Sequence, residues 1–303
     1  MGSCASCANK DKCSSASKDG GCSSSVPAKL GTNYGNIKNV IGVISGKGGV
    51  GKSTVTGILA TQLAKKGYDL ILVGRRVEKI KAVAEEIENN FKVKTCVEIL
   101  DLTDDNKLDD FIKRLEKKDN IEFLVNNAGY GADDSFTRDE YSKQYDMAKV
   151  HMLVTMKLCH SLSKKMKENN KGYIINVSSM AGFNVFPSSA MYCSTKAFLI
   201  SFTQCLAMEL LENNIKVQCL CPGFTRTDFH SKLNMEESKL QNKGFVRWMS
   251  TREVVEISLK NINKKLKVIV IPGFCNKFLY FVSKFTPRWL YYKVAIKGWE
   301  LMD

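Results

Sequence analysis

Short apolar runs alternate with segments of helical periodicity along most of this chain. The runs that predict β-strands lie at residues 40–44, 70–73, 96–100, 123–125, 173–177, 216–221 and 267–271. The segments that predict α-helices lie at residues 52–66, 77–89, 107–117, 141–167 and 190–212. Strands that alternate with helices are typical of parallel βαβ units. The pattern therefore predicts an α/β fold of the Rossmann type, with a doubly wound parallel sheet.

The same pattern divides the chain into parts. Residues 1–36 are rich in Ser, Gly, Lys and Cys and contain almost nothing large and apolar, so we expect a disordered leader. Residues 37–275 form the predicted α/β domain, which begins with a strand–loop–helix unit at 37–69 and continues as the body at 70–275. Residues 276–303 form an amphipathic tail in which aromatic and basic residues interleave.

Composition narrows the class of protein. Hydrophobic residues make up 44% of the chain and charged residues 25%, a mixture typical of soluble globular enzymes. The net charge of +14 favours anionic partners, but no nucleic-acid-binding motif accompanies it, so no nucleic acid is expected as a partner. The chain has 11 cysteines, an odd number, and it shows no signal peptide. No apolar run approaches the ~18 residues of a membrane span. These features predict a cytoplasmic protein with free thiols.

The strongest candidate chemistry lies on the predicted helix at 190–212. Tyr192 and Lys196 are four residues apart and therefore share one face of that helix, while Ser179 ends the preceding strand. A nearby ammonium is expected to lower the pKa of the tyrosine from its ordinary value of about 10, which would make it a usable acid or base. Ser179 could then donate a hydrogen bond to a carbonyl oxygen as negative charge builds there. The alternative for an isolated Tyr-x-x-x-Lys pair is a surface tyrosine beside a solvated lysine.

Three further motifs each follow a predicted strand. They are Asn126-Asn127-Ala128-Gly129, Asn176-Val-Ser-Ser-Met-Ala-Gly182 and Cys221-Pro222-Gly223-Phe-Thr225-Arg-Thr227. Open parallel sheets bind their ligands at the carboxyl ends of the strands, so these motifs are candidates for a shared site. Together with Tyr192 and Lys196, and in this order and spacing, they resemble the short-chain dehydrogenase/reductase family over about residues 68–275.

That resemblance implies a role for each matching residue. Tyr192 is the expected proton donor in carbonyl reduction, Lys196 is expected to hold the nicotinamide ribose, and Ser179 is expected to orient the carbonyl. The remaining residues expected to line the cofactor site are Asp101 and Leu102 beside the adenine, Asn127, Ala128 and Gly129 in the cleft, and Pro222, Gly223, Thr225 and Thr227 at the nicotinamide end. The expected substrate is a small molecule that carries a carbonyl or an alcohol.

Two arginines after the second strand bear on the choice of cofactor. NAD-preferring members of the family usually carry an acidic residue there for the ribose hydroxyls, whereas this chain has Gly74-Arg75-Arg76. A guanidinium pair suits the 2′-phosphate of NADP(H). The alternative is that the two arginines only form surface salt bridges.

One position on the long helix departs from the family pattern. The family usually carries an asparagine there, which anchors a water in the proton relay, and here the sequence reads Lys149-Val150-His151-Met152. An imidazole can also relay a proton, so His151 is a candidate catalytic residue. The alternative is a core histidine with a packing role.

The glycine-rich loop after the first strand departs from the family further. In place of the reductase fingerprint Thr-Gly-x-x-x-Gly-x-Gly, the chain has a P-loop that ends in Gly-Lys-Ser. Its candidate phosphate-binding residues are Gly46, Lys47, Gly48, Gly49, Gly51, Lys52, Ser53 and Thr54. The glycines let backbone N–H groups wrap phosphate oxygens, and the Ser53 hydroxyl can ligate the Mg²⁺ of ATP.

The front of the chain, residues 1–69, resembles the Mrp-like iron–sulfur carrier ATPases, through Lys47 before the double glycine and through the cysteine spacing of the leader. This resemblance implies ATP with Mg²⁺ at the P-loop and a 4Fe–4S cluster on the leader. The candidate cluster ligands are Cys4, Cys7, Cys13 and Cys22. The resemblance stops after Asp69, where the aspartates that would position Mg²⁺ and water are missing. The chain therefore resembles a hybrid of two families.

The sequence leaves three functions open. The first is an NADP(H)-dependent oxidoreductase of the short-chain type, which interconverts a carbonyl and an alcohol by hydride transfer. The second is an ATP-binding iron–sulfur carrier, and the third is a folded hybrid with neither activity. The tail is either a lid or packing element of an expected homo-oligomer, or an amphipathic element on an anionic membrane surface, and its apolar character favours a lipid-like substrate.

Overall fold

The computed structural model describes residues 40–44, 52–131, 134–226 and 247–300. Within these ranges the strands are β1 (Val40–Ile44), β2 (Leu70–Gly74), β3 (Thr95–Ile99), β4 (Ile121–Asn126), β5 (Gly172–Val177), β6 (Ile215–Leu220), β7 (Thr225–Arg226), β8 (Met249–Ser250) and β9 (Ile269–Val270). The α-helices are α1 (Lys52–Ala64), α2 (Val77–Phe91), α3 (Asp105–Glu116), α4 (Tyr141–Ala148), α5 (Val154–Glu168), α6 (Ala190–Glu209), α7 (Thr251–Asn261), α8 (Phe274–Phe285) and α9 (Arg288–Glu300).

A parallel sheet organises these elements. Its strand order is β3-β2-β1-β4-β5-β6-β9, and each neighbouring pair is parallel. The order reverses between β1 and β4, so the helices that connect the strands cover both faces of the sheet. The predicted doubly wound α/β fold is confirmed, and the reversal places the ligand-binding crevice at the carboxyl ends of these central strands.

Two apolar cores lie on opposite faces of the sheet. One core packs the inward sides of α3, α5 and α6 around Phe111, Leu158 and Ile174. The other packs α1, α2 and α7 around Leu59 and Val254. Because both faces of the sheet are covered, all five residues of β2 are buried, which explains its continuous apolar sequence.

Local signals in the sequence set the helix boundaries. The side chain of Asp104 accepts a hydrogen bond from the N–H of Lys107 and so caps the N-terminus of α3. Ser250 and Glu253 form a reciprocal capping box at the start of α7. Lys92 ends α2 in the left-handed conformation, with φ of 53°. These caps satisfy backbone groups that the helices themselves leave without a partner.

The structure differs from the predicted elements in at least three respects. The helix predicted at 141–167 is interrupted by a π-helical turn, Lys149–Leu153, which accommodates one extra residue and lies between α4 and α5. The tail, predicted as one amphipathic element from 276, consists of α8 and α9, and α8 already begins at Phe274. The short parallel pair β7–β8 was not predicted, because two-residue strands have no periodicity to detect.

No helix in the described part of the chain is long and apolar enough to cross a membrane. Within the same ranges, no group of His, Cys, Asp and Glu side chains is arranged to hold a metal ion. The leader at 1–36, its four candidate cluster ligands and most of the P-loop lie outside the described residues.

Candidate active site at the carboxyl edge of the sheet

Tyr192 and Lys196 lie in the first turns of α6, beside the carboxyl end of β5. Lys196 is almost fully buried, and its Nζ lies 5.8 Å from the ring centroid of Tyr192. The ammonium donates a hydrogen bond of 2.9 Å to the carbonyl oxygen of Val177, the last residue of β5. The two side chains therefore share one helix face, as their spacing predicted, and the lysine fixes that face against the sheet.

Ser179 joins this pair from the loop after β5. Its Oγ accepts a hydrogen bond of 3.1 Å from the N–H of Ala181, and its side chain is also hydrogen-bonded to Tyr192. The N–H of Met180 donates to the carbonyl oxygen of Pro222 at 2.9 Å, which ties the serine loop to the segment after β6. The structure thus brings Ser179, from the end of the preceding strand, to the tyrosine and the lysine of α6, as the sequence predicted.

Burial controls the pKa values at this centre. It raises the pKa of Tyr192 above its ordinary value, and the hydrogen bond with Ser179 offsets this only in part. Burial also lowers the pKa of Lys196 to about 8, against the opposite effect of the Cys219 and Cys221 thiols. The predicted lowering of the Tyr192 pKa by Lys196 is therefore wrong for this structure, because desolvation raises that pKa and the group that acts to lower it is Ser179 rather than the ammonium. A tyrosine that stays protonated at neutral pH is suited to donating a proton.

His151 lies in the π-helical turn, fully buried between two parts of the site. The hydroxyl of Thr195 donates to the carbonyl oxygen of Tyr192 at 2.9 Å, so the Thr195 oxygen accepts from Nδ1–H of the imidazole at 2.8 Å. Nε2 of His151 accepts a hydrogen bond of 2.9 Å from the N–H of Tyr130. This network assigns the neutral Nδ1–H tautomer. The two ring nitrogens together connect α6 to the loop after β4, and this arrangement favours the alternative of a buried structural histidine over a proton relay.

The loop after β4 carries the predicted cleft residues Asn127, Ala128 and Gly129. Nδ2 of Asn127 donates to the hydroxyl of Thr56 on α1 at 2.8 Å, so the loop is also tied to the helix that follows the glycine-rich segment. Gly129 has a φ of 154° and faces His151. The unit at the front of the chain is therefore integrated with the body of the domain.

A buried amide network, to which the sequence assigned no role, supports the same edge of the sheet. Asn126 and Asn176 are register partners at the ends of β4 and β5, and Nδ2 of Asn126 donates to Oδ1 of Asn176 at 2.8 Å. Nδ2 of Asn176 in turn donates to the hydroxyl of Thr203 on α6 at 3.0 Å. Asparagine at the last or penultimate position of two adjacent buried strands is the signal that could have revealed this network.

The arginines after β2 do not act as a pair. Nη1 of Arg75 forms an ion pair of 2.9 Å with Oδ2 of Asp101, whereas within the described residues no carboxylate pairs with Arg76. Burial acts to raise the pKa of Asp101, but the hydrogen bonds from Arg75 and Thr103 outweigh it and hold that pKa below its ordinary value. A small cavity of about 90 Å³ opens beside this ion pair, and the buried Leu102 forms part of its lining. Asp101 and Leu102, which were predicted to lie beside the adenine, thus lie next to Arg75.

The segment after β6 forms the opposite end of the site. The hydroxyl of Thr225 donates to the carbonyl oxygen of Gly223 at 3.1 Å, which shapes the turn after Pro222. The Gly223 Cα lies against the buried side chain of Asn276 on α8, where a Cβ would collide with the amide. The remaining predicted residue of this segment, Thr227, lies outside the described residues.

Of the predicted phosphate-binding residues, Gly46, Lys47, Gly48, Gly49 and Gly51 lie outside the described residues. Lys52, Ser53 and Thr54 form the first turn of α1, and only their backbone is described. Since α1 follows β1 at the centre of the sheet, this turn begins beside the crevice. A helix N-terminus in that place is suited to a phosphate group, whichever nucleotide carries it.

Comparison with known proteins assigns most of this chain to one family. The family model described as short chain dehydrogenase matches residues 39–238, so the match begins at β1, before the glycine-rich loop. A 3-oxoacyl-acyl-carrier-protein reductase of Aquifex aeolicus (strain VF5) is 36% identical over 205 residues, which cover 66% of this chain and 82% of that protein. A very-long-chain 3-oxoacyl-CoA reductase of Bos taurus is 30% identical over 262 residues, which cover 84% of this chain and 77% of the relative.

Solved structures share the fold at lower identity. A structure described in a study of 7beta-hydroxysteroid dehydrogenase stereoselectivity is 22% identical, covers 86% of this chain and 97% of its own, and superposes with a TM-score of 0.75. A short-chain dehydrogenase from Sphingobium yanoikuyae in complex with NADPH is 22% identical, covers 81% of this chain and 93% of its own, and has a TM-score of 0.69. At these identities the likeness establishes the fold.

Proposed function

This chain belongs to the short-chain dehydrogenase family, and from that premise we propose that it is an NADP(H)-dependent oxidoreductase that interconverts a carbonyl and an alcohol. The observation that carries the proposal is the convergence of Ser179, Tyr192 and Lys196 at the carboxyl end of β5. These three side chains combine a hydroxyl donor, a protonated phenol and a buried ammonium in the crevice where parallel sheets bind nucleotides.

The geometry gives each of these side chains a different proposed role in the reaction. When bound, the nicotinamide supplies the hydride to the carbonyl carbon. Tyr192 donates its phenolic proton to the carbonyl oxygen, and Ser179 stabilises the negative charge on that oxygen by a hydrogen bond. Lys196 holds the ribose beside this centre and, below a pH of about 8, provides a positive charge near the tyrosine when the phenolate forms. His151 keeps α6 and the loop after β4 at a fixed separation.

The position of Arg76 favours NADP(H) over NAD(H) as the cofactor. Arg75 is engaged with Asp101, which leaves Arg76, at the N-cap of α2, as the cation placed to meet a 2′-phosphate. The N-terminus of α2 adds the favourable end of a helix dipole for an anion. One of the solved structures with this fold was determined in complex with NADPH, which agrees with this choice.

A 3-oxoacyl thioester is the substrate class that we propose. The curated relatives described above are named as reductases of 3-oxoacyl groups on an acyl-carrier protein or on coenzyme A. The apolar side chains Val185 and Phe186 stand exposed on the loop that carries Ser179, which suits an acyl chain. Reduction would convert the 3-oxo group to a 3-hydroxy group, with one hydride from NADPH and one proton from Tyr192, and would release NADP⁺.

The test is NADPH consumption at 340 nm with acetoacetyl-CoA and with longer 3-oxoacyl-CoA substrates. We expect turnover that Tyr192→Phe lowers by about a thousandfold or more and that Ser179→Ala lowers by about a hundredfold. Tyr173→Phe, which also removes one phenolic hydroxyl but lies at the opposite end of β5, serves as the matched control. Turnover by the Tyr192→Phe protein equal to that of the control would contradict the proposed role of the phenol.

The alternative of an ATP-binding iron–sulfur carrier rests on the P-loop sequence and the leader cysteines. A thermal-shift titration with NADPH, NADH and Mg-ATP separates the two functions, because a ligand that binds the native state raises the melting temperature. We expect the largest increase with NADPH. An increase with Mg-ATP alone, or a 4Fe–4S absorbance near 400 nm after anaerobic purification, would favour the carrier.

A further inference from the structure

Four phenylalanines form an exposed stripe along α8. Phe274, Phe278, Phe281 and Phe285 follow one another at intervals of four, three and four residues, so they share one face of the helix. Their exposed fractions are 83%, 42%, 60% and 67%. Large aromatic side chains are normally among the most buried residues, and a contiguous exposed apolar face of this kind marks an interaction surface.

The opposite face of α8 is packed against the active site, so the helix is held with this stripe outward. Tyr280 lies against Phe183 of the loop after β5, with ring centroids 4.6 Å apart. Asn276 is buried against Gly223 of the loop after β6, and its Nδ2 donates to the carbonyl oxygen of Pro272 at 2.8 Å. Burying the stripe in the core would require breaking these contacts.

The second helix of the tail also carries exposed apolar side chains and is anchored next to the site. Trp289 and Ile296 on α9 are exposed, and the hydroxyl of Tyr291 donates to the carbonyl oxygen of Val185 at 3.0 Å. Val185 and its neighbour Phe186 are themselves exposed, on the loop that carries Ser179. Exposed apolar side chains are therefore present on α8, on α9 and on the loop at the active site to which α9 is bonded.

The charged side chains of the tail are all cationic over the length of α8 and most of α9. Between residues 274 and 299 the chain has no Asp or Glu, and its cations are Lys277, Lys284, Arg288, Lys293 and Lys297. Lys264 and Lys277 also lie close enough to Lys267 to add to the effect of burial and lower the pKa of that lysine. An apolar stripe surrounded by cations is complementary to a surface that combines hydrocarbon with negative charge.

We propose that α8 and α9 bind the surface of an anionic lipid bilayer, with the phenylalanine stripe inserted among the acyl chains and the lysines beside the lipid phosphates. A second copy of the chain would fit this surface less well. In a two-fold symmetric contact the same face meets itself, so the cations of one copy would lie against the cations of the other. The proposal does not depend on the reaction, because lipid binding can be measured without cofactor or substrate.

The test is flotation of the full-length protein with vesicles of phosphatidylcholine alone and with vesicles that contain phosphatidylserine. We expect binding to the anionic vesicles that weakens as salt is added. Phe274→Ser combined with Phe285→Ser should weaken it about tenfold or more, since two of the most exposed rings of the stripe are lost. Each substitution Lys277→Gln or Lys284→Gln should weaken it about fivefold.

Matched controls remove similar groups elsewhere. Tyr141→Ser with Tyr145→Ser deletes two exposed aromatic rings on α4, and Lys113→Gln removes an exposed lysine on α3. These variants should bind vesicles like the unchanged protein, and melting temperatures report whether each variant is folded. A Trp299→Phe background adds a direct readout, because Trp289 fluorescence should shift to shorter wavelength on anionic vesicles while the buried Trp248 should not respond.

Three results would overturn the proposal. The first is no flotation with either kind of vesicle, and the second is equal flotation with both kinds that the lysine substitutions leave unchanged. The third is self-association without lipid that the phenylalanine substitutions abolish, which would assign the stripe to a second copy of the chain.

Discussion

The imidazole of His151 occupies the space in which a side chain at Gly129 would begin. A Cβ added to Gly129 would collide with Nε2 of the ring, the same atom that accepts the hydrogen bond from the N–H of Tyr130. The backbone at this glycine also has φ of 154°, a conformation that other residues rarely adopt. The position of the loop after β4 is thus defined by the buried ring of His151, by the lack of a side chain at Gly129 and by the hydrogen bond from the N–H of Tyr130.

Gly129→Ala is therefore expected to displace His151 and to disturb the cofactor cleft. We expect a loss of about 2–4 kcal/mol in the free energy of unfolding, from the collision and the strained backbone together. Urea denaturation measures this loss. Gly57→Ala on α1 is the matched control, because a Cβ there meets nothing within 4 Å. It should be neutral or stabilise the protein by about 0.5–1 kcal/mol, so an equal loss in both variants would contradict the argument.

Substitutions of His151 separate positioning from proton relay. His151→Leu removes the acceptor of the Tyr130 N–H and the donor to the Thr195 oxygen, which should cost about 1–3 kcal/mol of stability and raise the KM for NADPH. His151→Gln can still accept from Tyr130 but carries no titratable proton, so it should restore most of the activity. If kcat falls as far in the Gln variant as in the Leu variant, while both bind NADPH normally, His151 relays a proton.

Arg76 should decide the preference between the two nicotinamide cofactors. We expect Arg76→Ser to raise the KM for NADPH by about tenfold to a hundredfold and to leave the KM for NADH nearly unchanged, because only NADPH carries the 2′-phosphate. Steady-state kinetics with both cofactors measure the difference. Arg75→Ser removes the partner of Asp101 and should affect both cofactors alike. A similar loss for NADH in the Arg76 variant would contradict a role in phosphate recognition.

The buried ammonium of Lys196 should make stability depend on pH. Its pKa of about 8 in the folded protein lies below the 10.5 of an unperturbed lysine, so the folded state binds fewer protons between these two values. The stability of the protein should therefore rise as the pH increases through this window, whereas below pH 8 the full desolvation cost is present. Relative to Lys196→Met, the unchanged protein should gain up to about 3 kcal/mol from neutral pH to above pH 10. A difference between the two proteins that stays constant with pH would show that Lys196 has an ordinary pKa when folded.

Much of the site was predictable because its residues follow strands. Motifs that end parallel strands must meet at one edge of the sheet, and this rule alone brought Ser179 to the helix with Tyr192 and Lys196. Helical spacing then placed the tyrosine and the lysine on one face. For these residues, local sequence and the α/β fold class are sufficient, since the order in which the strands pair does not have to be known.

The remaining features depend on contacts that local sequence does not encode. The lowered pKa of Lys196 follows from its burial, which only the packed structure reveals. Arg75 is bound to Asp101 on a different βα unit, so the two arginines looked equivalent in the sequence and are not equivalent in the fold. The π-helical turn around His151 requires one extra residue, and the periodicity of a long helix does not show where that residue is accommodated.

The position of β1 has a consequence for synthesis. This strand lies between β2 and β4, yet β4 leaves the ribosome only after α1, β2, α2, β3 and α3 have been made. The first strand of the described part must therefore wait, with the backbone N–H and C=O groups of one edge unpaired, for its second neighbour to appear. Long-range parallel pairing of this kind is slow and exposes the nascent chain to aggregation. Ribosome stalling before and after β4 has emerged from the exit tunnel, combined with limited proteolysis, should show protection of β1 only in the longer nascent chain.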